Sequence, residues 1–181
     1  MSPASRFDAF VAPARVRPAF WRTLVGGILS TCLWLFAIEA GFGLAASIGA
    51  LSPRTVLLVY LWSFAGLAAD LGLSARLRQG RPAASLLGPG GFSLWSFAGA
   101  AMVLAIAALP PMAILFWWAP PTRMLPFADW AVWLPLVVPA VLIQTAAEEI
   151  AFRGYLLQSL AARFRAPLAW WLLPALLVGA L

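Results

Sequence analysis

Residues 131–160 read AVWLPLVVPAVLIQTAAEEIAFRGYLLQSL. From Ala131 to Ala147 the stretch carries no charged side chain, and then Glu148, Glu149 and Arg153 follow within six positions. A membrane span needs about 20 predominantly apolar residues, so the first part reads as a transmembrane helix. A charge near the bilayer centre costs about 2.5–3.5 kcal/mol on insertion scales, and groups that bear this cost mark a functional site by default. One segment therefore points both to the fold and to the place where function is to be sought.

The chain around it repeats the first half of that pattern. Of its 181 residues 64% are hydrophobic and 10% charged, with a mean hydropathy of +0.93, against roughly 25% charged residues in a soluble domain. Apolar runs extend from about Trp21 to Ile48, Val56 to Leu73, Phe92 to Trp118 and Trp130 to Leu160, and a fifth begins near Pro167 and is still apolar at Leu181. Ser52-Pro53-Arg54, residues 76–91 and the run from Ala119 to Arg123 separate them as loops. The expected fold is an all-α polytopic bundle with four complete spans and an incomplete fifth. Residues 1–19 form an arm and residues 20–181 the transmembrane domain.

All twelve basic residues are Arg. Cytoplasmic loops carry the excess of basic residues. Arg6, Arg15, Arg17, Arg22, Arg76, Arg78, Arg81, Arg163 and Arg165 fall on one side of the predicted map, and only Arg54 and Arg123 on the other. The amino terminus is therefore expected in the cytoplasm, with the first span as an uncleaved signal anchor, and the arginines as topology signals and phospholipid contacts rather than a nucleic-acid surface. Trp117, Trp118, Trp130 and Trp133 fit interfacial depths at the predicted span ends. The chain has no His, and Cys32 is its one cysteine. This excludes disulfides within the chain, cysteine cages, imidazole ligands and Ser-His or Cys-His nucleophile pairs.

On a helix Glu149 and Arg153 share a face, with the acid amino-terminal to the base as an ion pair prefers. Glu148 lies about 100 degrees around. The simplest division is a buried structural pair, Glu149 with Arg153, and a free Glu148 that acts as a general base. The competing reading is an inter-helix polar cluster that only holds the bundle together. Gly154 would let a neighbouring helix come close, and Tyr155 and Gln158 read as helix-end polar contacts. Elsewhere, Glu39 is expected to face the bundle and an Arg of another helix, Asp70 to cap its helix or pair with Arg76, and Asp129 to cap the fourth span. Pro135 and Pro139 are candidate kink sites.

Glu148-Glu149-Ile150-Ala151-Phe152-Arg153-Gly154-Tyr155-Leu156 resembles the first motif, EExxxR, of the CPBP intramembrane endopeptidases, which include type II CAAX prenyl proteases and bacteriocin-processing or self-immunity proteins. The resemblance implies a multi-pass protein of a prokaryotic cytoplasmic membrane with an active site sunk in the bilayer. It implies Glu148 as the carboxylate that activates water, and Glu149 and Arg153 as the supporting residues of the motif. Hydrophobic or prenylated peptides would be the substrates and membrane lipids the surroundings. The family completes its site with FxxxH and a later His-containing motif, implied to activate water, bind a divalent metal such as zinc, or stabilise the oxyanion. Neither is present here. The expectation that follows is an amino-terminal fragment of a longer protease-like protein, inactive by itself. The alternative is a non-catalytic membrane protein serving self-immunity or partner binding. A proton- or ion-coupled carrier using Glu39 and Glu148 fits less well, because no inverted repeat is evident.

Overall fold

The computed structural model describes residues 3–90, 93–120, 122 and 126–179. The chain is all-α, with no strand among the described residues. Its helices are α1 (Pro3–Val11), α2 (Phe20–Ser47), α3 (Pro53–Leu77), α4 (Leu94–Trp118), α5 (Phe127–Ala131), α6 (Leu134–Glu149), α7 (Gln158–Arg163) and α8 (Pro167–Gly179). A π-helical segment, Ile150–Leu157, joins α6 to α7, so that Leu134–Arg163 is one uninterrupted rod. Four helices, Phe20–Ser47, Pro53–Leu77, Leu94–Trp118 and Leu134–Arg163, are long and apolar enough to cross a membrane. The polytopic reading of the sequence is thereby met.

The described residues form two compact units, Gly90–Leu134 and the remainder. In the larger unit α2 and α3 make an antiparallel hairpin whose turn follows from its sequence. Gly49 at φ 68° lets Gly49 N–H reach Ala46 O and Ala50 N–H reach Ala45 O at 2.8 Å, the paired bonds that close a helix with glycine just past its end. Ser52 then accepts from the Thr55 N–H at 3.2 Å and Pro53 occupies the first helical turn. Proline suits that position because the N–H it lacks has no partner there anyway.

Along the hairpin, Trp34 Nε1 donates to Ser63 Oγ at 2.8 Å, and its ring lies 4.7 Å from that of Phe64. The core is built from Phe64, Leu67, Leu71, Ala75, Leu86, Ala147 and Tyr155. The Leu134–Arg163 rod enters this core through small residues, Ala140, Ala147 and Gly154, all buried and seven apart. Small residues let backbones approach without the hydrophobic drive that water would supply. At Gly154 the neighbour is not a helix but the 3₁₀ turn Ala83–Leu87: an added Cβ would collide with the Leu86 carbonyl oxygen.

The arm is folded. α1 is followed by a 3₁₀ turn, Ala12–Val16, Val11 is fully buried, and Phe7 stacks 4.9 Å from Trp170 of α8. In the smaller unit, Ser93 caps α4, and Phe127 lies 5.7 Å from Trp130 within α5.

Several expectations change. The fourth apolar run is not one helix from Trp130: a turn at Val132 and Trp133 separates α5 from α6. Pro135 fits the restart, since it falls in the first turn of α6, where the N–H it lacks has no helical partner anyway. Pro139 lies inside α6 without ending it. Asp129 sits in the first turn of α5, whose cap is Pro126, so it favours the helix by charge rather than by capping. Glu39 is exposed, and neither it nor Asp70 takes part in an ion pair among the described residues. Residues Phe92 and Arg123, used in the sequence map, lie outside the described residues.

Gly154→Ala is expected to destabilise the protein by about 1–3 kcal/mol, read as a lower midpoint of thermal unfolding in detergent. Gly43→Ala, where nothing lies within 4 Å, is the control and is expected to be neutral or stabilising by up to about 1 kcal/mol. Equal midpoints for the two variants would show that the Leu86 turn does not press on the helix.

Candidate active site

The segment quoted at the outset is held on one side and open on the other. Ala147 is fully buried, and Ile143, Ile150 and Ala151 pack against the same core. The neighbours of Ala147 in sequence therefore turn away from that core. Glu148 is half-buried, and its Oε1 accepts from Gln144 Nε2, one turn earlier, at 3.1 Å. Glu149 and Arg153 form the expected ion pair, Arg153 Nε to Glu149 Oε2, at 3.0 Å.

The pair is not buried as the sequence suggested. Its side chains are 73% exposed for Arg153 and 51% for Glu149. The three predicted site residues do come together on one rod, and Arg153 is engaged by Glu149, while Glu148 has a neutral partner. The helical geometry differs from the α-helix assumed from spacing, because Arg153 lies within the π segment. Short π-helical insertions occur frequently at functional sites.

Behind the open face lies a polar network that residue types alone do not reveal. Arg81, from the loop after α3, is only 2% exposed. Its Nε donates to Gln79 Oε1 at 2.7 Å, Nη1 donates to Gln158 Oε1, and Nη2 donates to the Gly154 carbonyl at 3.3 Å. Gln79 Nε2 in turn donates to Thr23 Oγ1 of α2 at 3.1 Å and to Ser159 Oγ at 3.3 Å. Gln158 Nε2 donates to the Ser85 carbonyl at 2.9 Å. The Tyr155 and Ser74 hydroxyls are 2.9 Å apart, packed against Gly26.

Tyr155 and Gln158, expected as helix-end contacts, are instead buried at 3% and 0% exposure. Among the described residues no buried side-chain polar atom lacks a partner. Burial lowers the Arg81 pKa to about 10, and the nearby Tyr155 acts in the opposite direction. Arg81 thus remains charged at neutral pH, and only above about pH 10 would its deprotonation begin to relieve the cost of burying that charge.

A structural zinc site takes four protein ligands and a catalytic one three with an open position. Among the described residues no group of three His, Cys, Asp or Glu can hold a metal. Glu148 and Glu149 do not make a zinc site by themselves.

Residues 130–181 match the family model described as Rce1-like, type II CAAX prenyl endopeptidase Rce1-like. No curated protein and no solved structure matches the chain.

Charged side chains inside a membrane face the bundle interior or a water-filled cavity. The exposed Arg153 should therefore be wet. In a Cys32→Ser background, Arg153→Cys is expected to react with a water-soluble maleimide in native membranes, and Ala147→Cys to stay unlabelled. Protection at both positions would show that the ion pair is sealed from water.

Proposed function

We propose that this chain, whose residues 130–181 match the Rce1-like type II CAAX prenyl endopeptidase family model, supplies the carboxylate half of an intramembrane peptide-hydrolysing site. The observation that carries the reading is the separation of roles along the rod. Arg153 is occupied by Glu149, and among the described residues Glu148 is held by the neutral Gln144, free to accept a proton. Glu148 takes a proton from water, the resulting hydroxide attacks the scissile carbonyl carbon, and the proton is delivered to the departing amine. Glu149 and Arg153 fix the local charge and orientation of that segment.

The substrate is a hydrophobic or prenylated peptide of the CAAX type. An open apolar groove of about 440 Å³, lined by Phe20, Leu160, Phe164, Leu168, Leu172 and Leu176, suits an aliphatic chain. The Arg-rich end of the bundle, with the folded arm, faces the cytoplasm of a prokaryotic cell. With no imidazole among its 181 residues, these residues supply the carboxylates alone, and the groups that complete the site are supplied from outside them. The same lack of His favours a second reading, a non-catalytic bundle that serves self-immunity or binds a partner.

The two readings separate in one experiment. The product of the gene together with any in-frame sequence after codon 181 is assayed on a prenylated CAAX-type peptide in membranes. Glu148→Gln is expected to lower kcat by about 10²–10⁴ with unchanged expression and unfolding midpoint. Absence of Glu148-dependent cleavage, or a Glu148→Gln variant that loses its fold along with its function, would favour the non-catalytic bundle.

A further inference from the structure

Arg81 is a charge that structure alone does not require. Its guanidinium is buried with four neutral acceptors, Gln79 Oε1, Gln158 Oε1, the Gly154 carbonyl and Ser159 Oγ, and among the described residues it forms no ion pair. Taking a charge out of water is expensive even when a counter-ion is present, and well-packed neutral groups commonly do the same structural work at lower cost. What a neutral group cannot supply is a planar fork with donors in fixed, divergent directions. Arg81 uses that fork to reach its own loop through Gln79 and, besides Ser159 Oγ at 3.5 Å, the motif-bearing rod at two points, Gly154 and Gln158.

Those two points lie at a particular place. Gly154 is inside the π segment Ile150–Leu157 and Gln158 is the residue at its end. A π-helical turn bonds i to i+5 and is rare because ordinary helix geometry competes with it. Here the competing geometry is opposed from outside. The Leu86 backbone presses on Gly154, Ser85 holds Gln158 through its carbonyl, and Arg81 binds both residues from the same loop. Upstream of the π segment the rod carries Glu148 and Glu149; downstream it carries the buried Gln158, Ser159 and Leu160. A change from π to α register between the two halves would rotate the carboxylates relative to the anchored end.

We propose that Arg81 is a positioning residue: by clamping the Gly154 carbonyl and the Gln158 side chain it holds the π-helical register that sets the direction of Glu148, Glu149 and Arg153. The claim about register stands on the geometry above; its consequence for catalysis rests on the function proposed in the preceding section. Arg81 touches no reacting atom.

The test uses the full chain in lipid bilayers, ¹³C,¹⁵N-labelled, with Arg81→Lys, Arg81→Gln and Gln158→Met. Backbone carbonyl and amide shifts of Ile150–Leu157 report register, and kcat and KM are measured on whichever gene product shows Glu148-dependent cleavage. Both Arg81 variants are expected to move the shifts of the segment and to lower kcat about tenfold to a hundredfold, with KM within about twofold. Lysine is not expected to rescue, because it keeps the charge and loses the fork. Gln158→Met should move the same signals less, and it decides the matter if an Arg81 variant does not fold. Unmoved shifts in a folded variant, or wild-type kcat in Arg81→Lys, would overturn the proposal. If no Glu148-dependent cleavage is found at all, the functional reading fails while the shifts still judge the role of Arg81.

Discussion

Backbone meets backbone where Gly154 passes the carbonyl of Leu86, and the interior of the larger unit is arranged around that contact. It admits the Ala83–Leu87 turn into a groove that a helix of ordinary side chains would fill. Once there, the turn brings Leu86 into the core beside Ala147 and Tyr155, and its Ser85 carbonyl receives Gln158. The loop that precedes it can then place Arg81 against the rod. Buried away from water, each of these polar groups must find a partner within the protein. The result is a loop that buries Gln79, Arg81 and Leu86 while Pro82, Ala83, Ala84 and Leu87 stay exposed.

The spans were legible because their cause is local. About 20 apolar residues and the punctuation between them are properties of a short window, and Ser52-Pro53 announces the start of α3 as directly as Gly49 announces the end of α2. Such local rules placed the ends of α2, α3 and α4 within a few residues. The restart at Pro135 belongs to the same kind of rule, but there apolarity on both sides hid the break. The folded arm was not legible, because α1 packs against α7, more than a hundred positions away.

The site divides in the same way. Glu149 with Arg153 follows from spacing within one helix, and the pairing is present. Its exposure does not follow from spacing, since burial is decided by what packs nearby. Arg81 was indistinguishable in sequence from Arg76 and Arg78, all three being loop arginines between apolar runs. Only the path of the chain through Gly80, at φ 67°, turns one of them inward and leaves Arg76 exposed. The π segment escaped for a related reason: apolar periodicity carries a residue's face, and the widening of a helix comes from tertiary pressure on its backbone.

The contact of Phe7 with Trp170 also fixes an order in time. Phe7 emerges from the ribosome well before its partner in α8 is made. At about 5–20 residues per second, roughly 10–30 s separate the two. Throughout that interval Phe7 lacks the ring it rests on. During its own synthesis the nascent chain must park that side chain on the membrane surface or on a chaperone, and the arrival of α8 releases it.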